Sequence, residues 1–399
     1  MDLFLKSENL RAPVNGSDER MDKQKIYFPN LNGLRFIAAF LVIIHHIEQF
    51  KSLTGHENYW RLIPFIMVIG KLGVILFFVL SGFLITYLLL AEEKSFQTIS
   101  VPKFYIRRML RIWPLYFLVI GLAFFVLPHI SLFTLPGFTQ EVVQSNLIWK
   151  LLLYAVFFPN LVLSLLGVVP YASHTWSIGT EEQYYLVWPV AIKYVRKFRI
   201  GLMALIISGY LLFEYFLTTP YSGFIPYRHI VQAFWHTFNI DCMAIGGIFA
   251  ILLFEGNPLL KYLQNRTLFY ACLVLVSALM VKGVVFQHFH YETYALFFGI
   301  IILNFASNPR IGISMENPVL NYLGNISYGL YMYHPIGIML AMYLAQASGF
   351  FTNWVLYPLS IALTIALAGA SYRWYETYFL QFKHRFSKII SGADTKKAA

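Results

Sequence analysis

A stretch of about 20 apolar residues leaves a polypeptide few options, because that length crosses the hydrocarbon core of a bilayer as a helix. This 399-residue chain holds eleven apolar runs, near 31–50, 63–91, 104–127, 147–167, 177–195, 201–218, 230–254, 267–285, 291–306, 319–346 and 353–376, and several reach that length. Charge is scarce to match: 58% of residues are hydrophobic and 12% charged, about half the charged fraction of a soluble domain. The expectation is an all-α, polytopic membrane helical bundle over residues 29–380. A polar tail over 1–28 precedes it and a basic tail over 381–399 follows. The first tail lacks the apolar core of a signal peptide. Met21 opens "MDKQKIYFPN" and offers a second translation start.

The net charge of +11 is concentrated in short clusters, "FYIRRMLR" (104–111), "KYVRKFR" (193–199), "KYLQNR" (261–266) and "KHRFSK" (383–388). Such clusters between apolar runs belong to cytoplasmic loops rather than to a nucleic-acid surface. All four fall on one side if 147–167, interrupted by Pro159, Asn160 and Gly167, does not cross. That gives about ten transmembrane helices with both termini cytoplasmic, in a multi-pass protein of a bacterial inner membrane. Cys242 and Cys272 lie inside apolar runs and imply no disulfide framework. No metal-ligand spacing and no Gly-rich phosphate loop is visible, and no permanently bound cofactor is expected.

The first run, "LNGLRFIAAFLVIIHH" (31–46), carries Arg35 and His46. On a helix turning 100° per residue, eleven residues make almost three turns, so the two share a face about 16 Å apart, with His45 about 80° away. A central Arg costs about 2.5–3.5 kcal/mol of insertion energy, against about 0.3–0.6 gained per Leu, Ile, Phe or Val. The bland reading makes the pair interfacial anchors. The functional one is that ionisable residues inside a membrane mark a protein-lined site.

Six segments, in order, resemble the acyltransferase family 3 membrane proteins. They are the Gly-Leu-Arg…His helix just described, "GVILFFVLSGFLITYLL" (73–89), "FYIRRMLRIWPLYF" (104–117) with its Arg-x-x-Arg, "HTWSIGTEEQYYLVWP" (174–189), "NIDCMAIGGIFA" (239–250) and "LGNISYGLYMYHP" (323–335). Ile75 departs from the family's second helix, where a polar or acidic residue is common. The resemblance covers about residues 27–380. It implies transfer of an acyl group, usually acetyl, from a coenzyme A thioester to a hydroxyl, commonly on a carbohydrate or glycolipid. Some members carry an added extracytoplasmic esterase-like domain, which is not expected here.

That reaction needs a base, an oxyanion partner and cations for the phosphates of the donor. Neutral imidazole suits proton transfer near neutral pH, which makes His46 the base and Arg35 its partner or an acyl-group ligand. Arg108 and Arg111 share a helix face and are either topology anchors or guanidinium ligands for the acyl-CoA phosphates; the resemblance favours the second. Glu181 and Glu182 are either first-turn dipole partners or acceptor ligands, with Trp176 and Tyr185 as platforms. Asp241 requires a partner, with His236 or Asn239 available, and His334 is a further supporting residue. Arg373 and Glu376 are expected to pair structurally. The competing class is a transporter or flippase of a lipid-linked glycan or small metabolite, which would move substrate without acyl-CoA.

Overall fold

The structure, a computed structural model, describes residues 25–387 and 389–391. The tail before Lys25, the start at Met21 and the last residues of the basic tail lie outside them. Ten helices of 16 or more residues stand among the described residues: α1 (Leu31–Leu53), α2 (Pro64–Phe96), α3 (Val101–Phe125), α4 (Trp176–Tyr194), α5 (Arg199–Thr218), α6 (Ile240–Glu255), α7 (Arg266–Val281), α8 (His290–Ser307), α9 (Ser327–Ala347) and α10 (Asn353–Ser371). Six segments, those containing α1, α2, α3, α5, α6 and α10, combine the length and apolar composition needed to cross a bilayer. The molecule is an all-α polytopic membrane protein. Its one strand pairing among the described residues joins Lys25–Ile26 in parallel to Ile390–Ser391, so both ends of the membrane domain sit on one face.

The 147–167 run is broken into Leu147–Ala155 and Pro159–Leu165, of 9 and 7 residues. Phe157 between them adopts φ 60°, and Pro159 cannot continue the preceding helix. At 1.5 Å per residue neither piece exceeds about 14 Å, far short of the ~30 Å hydrocarbon core. The basic clusters then meet on one face. Arg107 pairs with Glu92 at the end of α2 and donates to the carbonyl of Phe386. Arg196 and Arg199 both pair with Glu93. Gln264 and Asn308 hold the 261–266 cluster against the end of α8, whose Phe305 carbonyl accepts from Asn30 at the start of α1.

The long helix α2 lies at the centre, between α1 and α6. Without hydrophobic drive inside lipid, helices associate through close backbone approach at small residues. Here the approach is mutual: a Cβ on Gly82 would stand 1.9 Å from the Met243 carbonyl oxygen, and one on Gly246 2.1 Å from that of Val79. Peripheral helices show the opposite character, with Leu205, Leu212 and Trp354 turned outward. At the face away from the basic clusters, a buried network ties α1 to α10. The Lys51 ammonium binds Glu48 at 2.7 Å and Asn353 at 2.8 Å, and Tyr357 donates to Glu48.

One expected pair does not form. Tyr372–Glu376 is a π-helical turn, and the extra residue per turn removes the spacing that would face Arg373 to Glu376. Arg373 is exposed and stacks on Trp374, while Ser371 donates to Glu376.

Candidate active site

Arg35 on α1 and Arg108 and Arg111 on α3 converge on one cavity of about 710 Å³, counting its open mouth, with Ser81, Glu181, Tyr185 and Tyr331 also in its lining. The same three arginines line a second hollow that opens towards Lys383 on the face of the basic clusters. The two hollows therefore form one cation-rich path into the bundle. Neighbouring arginines differ sharply in what they touch. Arg107 is ion-paired to Glu92 at 3.0 Å. Among the described residues no carboxylate pairs with Arg35, Arg108 or Arg111 within salt-bridge distance. Arg35 donates to Asn32 at 3.1 Å. The Arg108 guanidinium packs against the Phe104 and Tyr185 rings at 5.7 and 5.8 Å, and its buried Nε has no hydrogen-bond partner among the described residues. Unpaired guanidiniums in a recessed cavity form a receptor for an anion such as a phosphate.

His46 follows from the same helix, about three turns further across. Its Nδ1 lies 2.8 Å from the Val42 carbonyl. A carbonyl only accepts, so Nδ1 carries the hydrogen of the neutral ring and Nε2 keeps its lone pair, the form that takes up a proton. The ring packs against His334 with centroids 4.6 Å apart, and His334 packs against His174 at 5.0 Å. His334 Nδ1 similarly faces the Tyr331 carbonyl at 2.6 Å, and the buried Nε2 atoms of His334 and His174 have no hydrogen-bond partner among the described residues. His46 is not in the lining of the arginine cavity. Phe77, Ser177 and Tyr331 form the cavity's end nearest the histidines, with the Tyr331 hydroxyl donating to the His174 carbonyl and accepting from Ser177. His45 also meets the His46 ring, with centroids 5.0 Å apart, but its own anchors differ: its Nδ1 is on the Ile66 carbonyl at 2.7 Å and its ring against Trp60.

The residues expected around an acceptor do not share a surface. Glu181 and Tyr185, four apart on α4, face the arginine cavity, where Glu181 accepts from Ser81 at 2.9 Å and from Tyr185 at 3.0 Å. Glu182 points 100° away and accepts from Trp113 at 3.0 Å. Because α4 begins at Trp176, neither glutamate is in its first turn, which removes the dipole reading. Trp176 lies elsewhere, 5.7 Å from the Lys71 ammonium. Among the described residues no hydrogen bond joins Asp241 to His46, His174 or His334. Asp241 gathers with Cys242 and Glu292, their side-chain ligand atoms within 4.8 Å of one another, and its Oδ1 has no hydrogen-bond partner among the described residues. The sequence hides this cluster because Glu292 comes from α8, fifty residues away. Missed at the sequence level were His174, Tyr331, Lys71 and Glu292. Lys71 and Glu292 are lone ionisable residues in apolar surroundings, the signal that singles out Arg35. His174 opens a segment already noted.

Comparison with known proteins identifies the family of the chain. Residues 28–373 match the family described as an acyltransferase domain. The peptidoglycan O-acetyltransferase OatA of Listeria monocytogenes is 26% identical over 392 residues, spanning 90% of this chain and 58% of that protein. The O-acetyltransferase OatA of Staphylococcus aureus strain NCTC 8325 is 26% identical over 380 residues, spanning 88% of this chain and 57% of its own. This chain thus spans somewhat more than half the length of the curated relatives it matches. No solved structure matches it. With the family match running from the helix of Arg35 and His46 to the last long helix, the chain belongs to the acyltransferase-domain family.

Proposed function

We propose that this chain is a membrane-embedded O-acetyltransferase that moves an acetyl group from acetyl-CoA at the cytoplasmic face to a hydroxyl of a cell-envelope carbohydrate on the other side, in a bacterial inner membrane. The observation that carries the reading is the triad Arg35, Arg108 and Arg111, without a carboxylate partner among the described residues and recessed in one path that opens on the face of the basic clusters. The positive-inside rule makes that face cytoplasmic, the side where acyl-CoA is made. The names of the relatives support an O-acetyl product on an envelope polymer.

In this reading the guanidiniums hold the phosphates and the flexible thioester arm extends along the α1 face towards His46. The acceptor oxygen attacks the thioester carbonyl, and its proton goes to His46 Nε2. The C–S bond breaks, and the thiolate takes a proton to leave as the free thiol of CoA. Arg35, about 16 Å from His46 along α1, stays with the other guanidiniums on the phosphates. The test is transfer by purified protein in sealed vesicles of known orientation. Acetylation should require acetyl-CoA on the basic-cluster side and acceptor on the other, and should vanish in His46→Ala. Movement of glycan without thioester cleavage would instead identify a transporter. Loss of envelope O-acetyl esters on deleting the gene is the matching cellular result.

A further inference from the structure

A second, larger cavity of about 1,630 Å³, counting its open mouth, lies at the opposite end of the bundle. It is built from the first turns of α2, the last turns of α5 and the start of α8, and shares no lining residue with the arginine cavity. Gly70 fixes its depth. A Cβ there would stand 2.3 Å from the His45 ring, so Lys71, the next residue and part of the cavity wall, lies at the level of His45 and His46. Trp176 and Ser177 mark the partition between the two cavities. Trp176 sits 5.7 Å from the Lys71 ammonium, while Ser177 lines the arginine cavity and bonds to Tyr331.

The chemistry of the wall selects its occupant. Glu214 and Glu292 line it and form no ion pair among the described residues. Lys71 donates to the His236 carbonyl and stands over the Tyr291 ring at 4.0 Å. Tyr215 and Phe289 present further exposed rings. The carboxylates, with Asp241 buried behind them, outnumber the one ammonium, so the wall disfavours an anionic ligand. An array of hydroxyls meets both, donating to carboxylate and accepting from ammonium, while its C–H faces lie on aromatic rings. We infer that this cavity receives the acceptor as an uncharged carbohydrate, delivering its hydroxyl to His46 past Trp176. The inference rests on the acetyl-transfer reading above and adds where, and as what charge class, the acceptor binds.

The test uses Val285→Cys at the cavity mouth, 67% exposed, and Phe350→Cys, exposed beyond α9 near Asn353 on the same face. Both native cysteines are buried. Full-length protein in oriented vesicles is treated with a bulky impermeant maleimide, or with a reagent that adds only a methylthio group. Each labelled variant is compared with its own unlabelled form, with acetyl-CoA affinity as the control for folding. The bulky adduct at Val285→Cys should remove transfer to a tetramer of N-acetylglucosamine without changing acetyl-CoA affinity, and the small adduct should not. Neither adduct should matter at Phe350→Cys. The tetramer should also slow labelling at Val285→Cys, and a sulfated oligosaccharide of equal length should not. Undiminished transfer after complete labelling, or equal protection by the sulfated sugar, overturns the inference and leaves the transferase reading standing. Absence of any His46-dependent transfer in unlabelled protein overturns the transferase reading itself.

Discussion

Replacing Arg108 by alanine should weaken acetyl-CoA binding, whereas replacing the adjacent Arg107 should weaken the protein. Arg108 has no carboxylate partner among the described residues, and the Phe104 and Tyr185 rings hold its guanidinium at the cavity. Its removal forfeits one charge-assisted contact, about 1.5–3 kcal/mol, or roughly 10- to 150-fold in Kd. Lysine keeps the charge and loses the planar fork and the stacking, so it should recover only part of the loss. Arg107 is different. It pairs with Glu92, which is 2% exposed and otherwise accepts from the Ser100 amide. Arg107→Ala strands that carboxylate, at a cost of about 3–5 kcal/mol, and leaves the anion path intact. Calorimetric titration with CoA on nanodisc-reconstituted protein, paired with a thermal melt, separates the two effects. Arg108→Ala should shift Kd with a near-normal melt, and Arg107→Ala the reverse. Unchanged CoA affinity in a folded Arg108→Ala, Arg111→Ala double variant would refute the assignment and return both to topology anchors.

His46→Ala should abolish acetyl transfer in a protein that still binds CoA. His45→Ala, which loses the Ile66 carbonyl contact and the packing on Gly70 and Trp60, should lower the melting temperature and largely spare transfer. Gly82→Ala should cost stability by about 1–3 kcal/mol, the range for overpacking, since its Cβ would meet the Met243 backbone. Gly209→Ala, inside α5 with nothing within 4 Å of a Cβ, should raise stability by about 0.5–1 kcal/mol in a denaturation assay. For topology, a cysteine at Lys197 should resist an impermeant reagent added outside intact cells while Phe350→Cys reacts. Labelling at position 197 would reverse the orientation.

Membrane residence, helicity and the sharing of one face by Arg35 and His46 were legible in the chain because each depends on local order. Apolar length, charge clusters and a fixed 100° turn need no tertiary contact to be read. The Arg-x-x-Arg spacing was legible for the same reason, but not which arginine stays free. Arg107 differs from Arg108 only because Glu92 arrives from α2. Glu181 looked like an outer first-turn residue until the start of α4 at Trp176 turned it towards the arginines. Arg373 and Glu376 had ideal helical spacing, and a π turn undid it. The histidine stack and the Lys71–Glu292 cavity join residues 46 with 334 and 71 with 292. Such proximities come from how ten helices pack, and no periodicity along a single helix encodes them.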